Sequence, residues 1–215
     1  MKPSLLIWDW NGTILMDVQE CFDIANHMLA ERGIPCIKDM NIYREVFGFP
    51  IKAYYEKLGY RFDKESYETV SDEFVELYLD RFSMNTLRPG IEALLKRIRK
   101  QGLSQVLLSA SREDQLKAQT ELFPGLSGCF EEIMGLPDHY AFSKAALARN
   151  FIVRRGMNPE SCLFIGDTDH DFEVSSAIGC PCVLLTEGHQ SKARLEKTGA
   201  PVLEGLEALA EYIEL

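Results

Sequence analysis

No CxxC pair occurs in this sequence. Its six cysteines, Cys21, Cys36, Cys129, Cys162, Cys180 and Cys182, are scattered, and Cys180-Pro181-Cys182 is too tight for a zinc knuckle. The thiols therefore read as buried or half-buried groups in a reducing cytosol. Basic charge is also short: 23 Lys and Arg stand against 33 Asp and Glu, a net charge of −10. Binding along a nucleic-acid backbone is driven by Lys and Arg, so no nucleic-acid partner is expected. The same charge opposes anionic ligands at long range, so a phosphate site here needs a local cation, either a metal or a placed lysine. Long apolar runs are missing too. No basic leader with an apolar core opens the sequence, and Asp9 interrupts the one early apolar stretch. A cytoplasmic protein with no signal peptide and no membrane partner is expected. Nothing in the sequence speaks to oligomeric state.

What is present is the balance of an ordinary globular protein, with 46% hydrophobic and 26% charged residues. A chain of 215 residues can hold one α/β domain with an insertion, or two small domains. Short apolar runs recur: Leu5–Trp8, Gln105–Leu108, the weaker Glu132–Met134, Cys162–Ile165 and Cys182–Leu185. Amphipathic stretches lie between them at Ile91–Lys100, Gln115–Leu122, Lys144–Arg154 and Leu206–Ile213. Strands alternating with helices predict an α/β fold, a doubly wound, Rossmann-like parallel sheet covered on both faces. Ligands of such sheets bind beyond the carboxyl ends of the strands.

One region breaks the alternation. From Asp17 to Asn85 no strand pattern occurs, and helical patterns run over Val18–Arg32, Ile51–Leu58 and Lys64–Phe82. This predicts an all-helical insertion at 17–85, within a core made of 1–16 and 86–215. It follows the first strand directly, where a lid would sit.

The residues able to do chemistry gather at strand ends. Asp9, Asn11, Gly12 and Thr13 follow the first strand, and Ser109 ends the second. Lys144 begins a helix, and Gly166-Asp167-Thr168-Asp169-His170-Asp171 follows the fourth strand. A parallel sheet would bring them to one edge. Carboxylates at Asp9, Asp167 and Asp171 would repel each other there unless a hard cation sat among them, and Mg²⁺ suits oxygen ligands and a phosphate.

Asp9-x-x-Gly12-Thr13, Val106-Leu107-Leu108-Ser109, Lys144 and Gly166-Asp167-x-x-x-Asp171 resemble, in order and spacing, the four motifs of the haloacid dehalogenase superfamily. The helical insertion resembles the first cap type of that superfamily, found in its phosphoglycolate phosphatase-like members. Phe47-Gly48-Phe49-Pro50 resembles the loop such caps point into the active site. The resemblance implies a Mg²⁺-dependent phosphohydrolase acting on a small phosphorylated molecule. Asp9 would be the nucleophile, forming an aspartyl phosphate. Asp9, the backbone carbonyl of Asn11 and Asp167 would hold Mg²⁺, and Asp171 would orient the metal or its waters. Lys144, Ser109 and the amides from Asn11 to Thr13 and of Ala110 would hold the phosphate oxygens.

Position 11 departs from the family pattern, which has an acid/base aspartate there. Asn11 cannot shuttle a proton, and general acid–base catalysis is worth about 10²–10⁴-fold. Three readings follow. One is a slowed or leaving-group-selective phosphatase, made faster by Asn11→Asp, with His27, His139, His170 and His189 as the histidines available to replace the acid. Another is a phosphonatase-like C–P hydrolase with a Schiff-base lysine, Lys52. The last is a non-catalytic phosphate or Mg²⁺ binder. Asn11-Gly12 is also a deamidation-prone dipeptide, unless packing protects it. Among weaker features, Asp138 reads as a turn residue or a partner of Lys144, and Ser191 as a helix cap. His170 reads as a solvent-facing or capping residue. Phe47 and Phe49 read as pocket-lining, and Tyr54 and Tyr55 as core of the helical insertion. Strand alternation around Asp9 would bury only one of Trp8 and Trp10.

Overall fold

The computed structural model describes residues 3–137 and 143–215. The chain opens with β1 (Leu5–Trp8) and the short β2 (Leu15–Met16), which flank the Asp9 loop. Four helices follow: α1 (Val18–Glu31), α2 (Met40–Val46), α3 (Ile51–Leu58) and α4 (Tyr67–Arg81). β3 (Thr86–Leu87) returns antiparallel to β2. The two-stranded ribbon so formed is both entrance to and exit from the helical segment. Beyond it come α5 (Ile91–Lys100), β4 (Ser104–Arg112), α6 (Glu113–Glu121), β5 (Glu132–Leu136) and α7 (Lys144–Arg154). The chain ends with β6 (Cys162–Gly166), α8 (Asp169–Ile178), β7 (Cys182–Leu185), α9 (Lys192–Leu195), β8 (Val202–Leu203) and α10 (Gly205–Tyr212).

The main sheet has the order β5-β4-β1-β6-β7-β8, and every pairing in it is parallel. All four residues of β1 are buried because both faces are covered. Leu6 and Trp8 join Leu107 and Ile165 under α5 and α10, where Leu95, Ile98 and Leu209 close the layer. Leu5 and Ile7 join Val106 and Phe164 on the other face, under Phe151 of α7 and Val174 of α8. This is the doubly wound core the alternating pattern predicts. The strand order reverses between β1 and β6, so the loops after these two strands open the crevice where such sheets bind ligands.

Two features differ from the sequence expectation. β4 runs past Ser109 to Arg112, and its pairing with β5 shifts register between Leu108 and Arg112. Ser109 is thus inside a strand at an irregularity, which re-aims side chains. α2 has no counterpart in the predicted helices. Its seven residues bury only Tyr43, too little to show a period, and its start is set by Asp39, whose carboxylate accepts from the Ile42 amide. Asp138 and His139 lie outside the described residues. Among the described residues, no helix is long and apolar enough to cross a membrane.

Leu107 is fully buried in β4 beside the central strand. Leu107→Ala should lower the unfolding free energy by about 2–5 kcal/mol, read from a urea titration.

Candidate active site

The loop after β1 is folded around its own carbonyls. Thr13, Ile14 and Leu15 all donate backbone N–H groups to the Trp10 carbonyl. Buried Arg88, just after β3, donates Nε to the Thr13 carbonyl at 2.7 Å and an Nη to the Gly12 carbonyl at 2.8 Å. Gly12 has φ +71°, and a Cβ there would stand 2.3 Å from Asp167 Oδ2. Glycine is therefore required on both conformational and steric grounds.

Asp9, Asp167 and Asp171 converge, with one carboxylate oxygen of each within 4.8 Å of the others. Lys144, the first residue of α7, reaches into them. Its ammonium donates to Asp9 Oδ1 and, at 2.6 Å, to Asp171 Oδ1. Ser143 caps α7 through the Ala146 amide and so fixes where Lys144 enters. The second Asp171 oxygen accepts from the Thr168 amide and hydroxyl, and the Asp171 amide donates to the Thr168 hydroxyl oxygen, closing a capping box that starts α8. Asp167 accepts from the Thr13 hydroxyl at 2.9 Å and the His189 amide at 2.7 Å.

Charge in this cluster does not balance, since three carboxylates face one ammonium. Burial, with Asp171 and Asp167 adding to it and Lys144 opposing it, pushes the Asp9 carboxyl up to about 8. Burial, reinforced by Asp171, takes Asp167 to about 6. Burial also works against ionised Asp171, but Lys144 and Thr168 hold it below the usual carboxylate range. Buried hard oxygens with excess negative charge fit a divalent cation. A second cluster, Asp17, Cys21 and His189, is also buried. There the Asp17 carboxylate is already satisfied by hydrogen bonds.

Those hydrogen bonds surround Asn11. Its Nδ2 donates to Asp17 Oδ2 at 2.7 Å and to the Tyr78 hydroxyl at 3.0 Å. Its Oδ1 accepts from Ser111 at 3.2 Å and Ser109 at 3.4 Å. Asp17 further accepts from Tyr78, from the Gly12 amide and from His189 Nε2. His189 Nδ1 is 2.9 Å from the Tyr43 hydroxyl. Burial opposes charge on Asp17, but His189, Asn11 and Tyr78 outweigh it and hold the carboxyl low. His189 is likewise held above its usual value, Asp17 outweighing burial. One carboxylate grips both the Asn11 side chain and the Gly12 amide, so this dipeptide is packed against deamidation.

Sequence reasoning missed Asp17, Tyr78, Arg88 and the role of His189. Of the expected residues, Asp9, Asn11, Ser109, Ala110, Lys144, Asp167 and Asp171 all border one cavity of about 530 Å³. Thr13 does not. It is fully buried, its hydroxyl held by Asp167 and its amide, expected to hold phosphate, turned inward to Trp10. Lys52 does not either: it is exposed on α3, its ammonium 5.6 Å from the Phe62 ring, and the cap-lysine reading has no support in the fold. Trp8 and Trp10 are both buried, because the strand ends at Trp8 and alternation stops; each indole N–H finds a glutamine, Gln105 and Gln119. Tyr54 and Tyr55 are buried as expected, and also border the cavity. His170 stacks on Phe49 at 4.4 Å rather than facing solvent alone. Ser191 caps α9 through the Arg194 amide.

The helical segment is tied to the core beside this cavity. Arg44 donates to the carbonyls of Glu187 and Gly188, Gln190 donates to the Phe47 carbonyl, and Arg194 bridges Phe47 and Asp169.

Residues 6–185 match the family described as haloacid dehalogenase-like hydrolase. The phosphoglycolate phosphatase of Pseudomonas syringae pv. tomato is 26% identical over 222 residues, covering 96% of this chain and 78% of that protein. A hydrolase from Pseudomonas syringae superposes with a TM-score of 0.76 at 20% identity, covering 98% of both chains. Protein tyrosine kinase A of Mycobacterium tuberculosis superposes with a TM-score of 0.81 at 22% identity, covering 100% of this chain and 99% of that one. The two structural likenesses bear on the fold alone, since one fold carries different chemistries.

Raised folded-state values for Asp9, Asp167 and His189 mean that the metal-free protein loses stability as these groups lose protons. Its melting temperature should fall as pH rises from about 4 to about 8, and Mg²⁺ should flatten that fall; a thermal-shift series with and without Mg²⁺ reads both. Asn11→Asp places a carboxylate oxygen beside Asp17 Oδ2, where Nδ2 now sits at 2.7 Å. That variant should melt below the wild type at pH 8, and adding Asp17→Asn should restore most of the loss.

Proposed function

The chain belongs to the haloacid dehalogenase-like hydrolase family, and we propose that it is a Mg²⁺-dependent phosphatase of small phosphate esters, with Asp9 as nucleophile. The observation that carries this reading is the convergence of Asp9, Asp167 and Asp171 at the switch point of the sheet, with the Lys144 ammonium engaging Asp9 and Asp171. Residues 1–16 and 86–215 form the catalytic core in this reading, and 17–85 the cap over it. Similarity to phosphoglycolate phosphatases supports phosphate-ester chemistry.

Asp9, Asp167 and the Asn11 carbonyl would hold the metal, with Asp171 behind them. Bound there, Mg²⁺ supplies Lewis-acid charge that screens carboxylate from phosphate. Lys144 favours the ionised form of Asp9 against burial and holds the carboxylate in place. One Asp9 oxygen attacks phosphorus, the phosphorus–oxygen bond to the leaving group breaks, and an aspartyl phosphate forms. Water then hydrolyses it to inorganic phosphate. Ser109 and the Ala110 amide, both at the cavity wall, would bind phosphoryl oxygens. Thr13 acts indirectly, by orienting Asp167.

Asn11 sets the rate. Its amide has no proton to transfer, so the leaving group departs without general-acid help and turnover depends steeply on leaving-group basicity. Denaturing quench and peptide mass spectrometry should find a phosphoryl group on the peptide containing Asp9 in the wild type, and none in Asp9→Asn. The Asn11→Asp/Asp17→Asn double variant should turn over alkyl phosphates faster by about 10–10³-fold, with Asn11→Asp alone gaining less. Equal wild-type rates for alkyl and aryl esters would refute this role of Asn11.

A further inference from the structure

The cavity over Asp9 is much larger than a phosphoryl group, at about 530 Å³, within the roughly 300–1,000 Å³ range of pockets for larger organic ligands. Phe47, Phe49, Tyr54, Tyr55, Phe74 and Tyr78 supply its wall from the helical segment. Rings held in contact with one another make a rigid apolar surface; Phe47, for example, packs on Tyr54 at 5.2 Å and on His189 at 4.7 Å.

Cations are scarce there. Among the described residues bordering the cavity, Lys144 is the one lysine or arginine, and Asp9 and Asp171 engage its ammonium. Both ring nitrogens of His189 are taken, by Asp17 and Tyr43. His170 stacks on Phe49 and pairs with Glu173. Beyond Lys144, no lysine or arginine among the described residues borders the cavity to pair with a second anionic group, and Asp17 adds to the negative charge. Uncharged polar side chains also border the cavity, Ser71 and Gln115 among them.

We propose that the substrate is a small aryl phosphate monoester with no second anionic group. This rests on the reading that Asp9 attacks phosphorus. The aromatic wall binds the ring. Asn11 selects the same ring for a separate reason: a phenol, with pKa about 10, leaves as phenolate without a proton donor, whereas an alkanol is far more basic. Asp9 Oδ–phosphorus bond formation breaks the aryl oxygen–phosphorus bond, and the phenolate then takes its proton from water. Hydrolysis of the aspartyl phosphate releases inorganic phosphate.

The test compares phenyl phosphate, benzyl phosphate, 2-phosphoglycolate and a phosphotyrosyl peptide on the Mg²⁺-loaded wild type. Calorimetry with the inert phenylphosphonate and phosphonoacetate measures binding separately from turnover. Phenyl phosphate should exceed 2-phosphoglycolate in kcat/KM by about 10²-fold or more, and phenylphosphonate should bind at least about tenfold tighter than phosphonoacetate. Benzyl phosphate should approach phenyl phosphate in KM but not in kcat. Turnover of 2-phosphoglycolate as fast as phenyl phosphate would overturn the proposal and leave the phosphatase reading standing. Absence of turnover and of phosphoenzyme with every ester would overturn that reading, while tighter phenylphosphonate binding would still support ring recognition. Equal turnover of the peptide would overturn the restriction to small esters.

Discussion

The Lys144 ammonium donates to Asp9 and Asp171 inside a site where all three side chains are largely buried. Removing such groups from water opposes their charge, and only close pairing offsets it. With one cation among three carboxylates the offset is incomplete, which is why Asp9 and Asp167 are pushed above the usual carboxylate range while Asp171 is not. The surroundings are built to that constraint. Thr168 and the start of α8 stabilise Asp171, Thr13 and the His189 amide stabilise Asp167, and Gly12, Gly166 and Gly188 leave room for the carboxylates.

A second buried charge system lies beside the first. Asp17 accepts from Asn11, Tyr78, the Gly12 amide and His189. Position 11 is thus neutral in a place already supplied with a carboxylate six residues on. An amide there satisfies Asp17 with its N–H and the Ser109 and Ser111 hydroxyls with its carbonyl, whereas a carboxylate could serve only one side. Asn11 is part of a folded polar network, and its loss of acid–base chemistry is coupled to that network.

The helical segment adds the aromatic wall and is fastened to the loop after β7 by hydrogen bonds from Arg44, Gln190 and Arg194. Tyr78 and His189, brought in from α4 and from the β7 loop, meet at Asp17. Position of the helices and polarity of the site are therefore linked through the same few side chains.

Much of this was open to reading from local pattern. Leu5–Trp8 and Cys182–Leu185 are strands because apolar runs of four suit a sheet covered on both faces. Asp9, Lys144, Asp167 and Asp171 were legible because each sits at a strand end or a helix start, and topology sends those to one edge. Short elements such as α2, β2 and β8 were not, since two to seven residues carry no period. Asp17 and His189 are 172 residues apart, and neither stands in a pattern that points to the other. Thr13 turned inward, and Lys52 outward, because side-chain direction is settled by packing. Chain-local chemistry determined which residues could act and on which edge. Tertiary structure decided which hydrogen bonds they make, because burial forces each polar group to find its partner wherever the fold brings one.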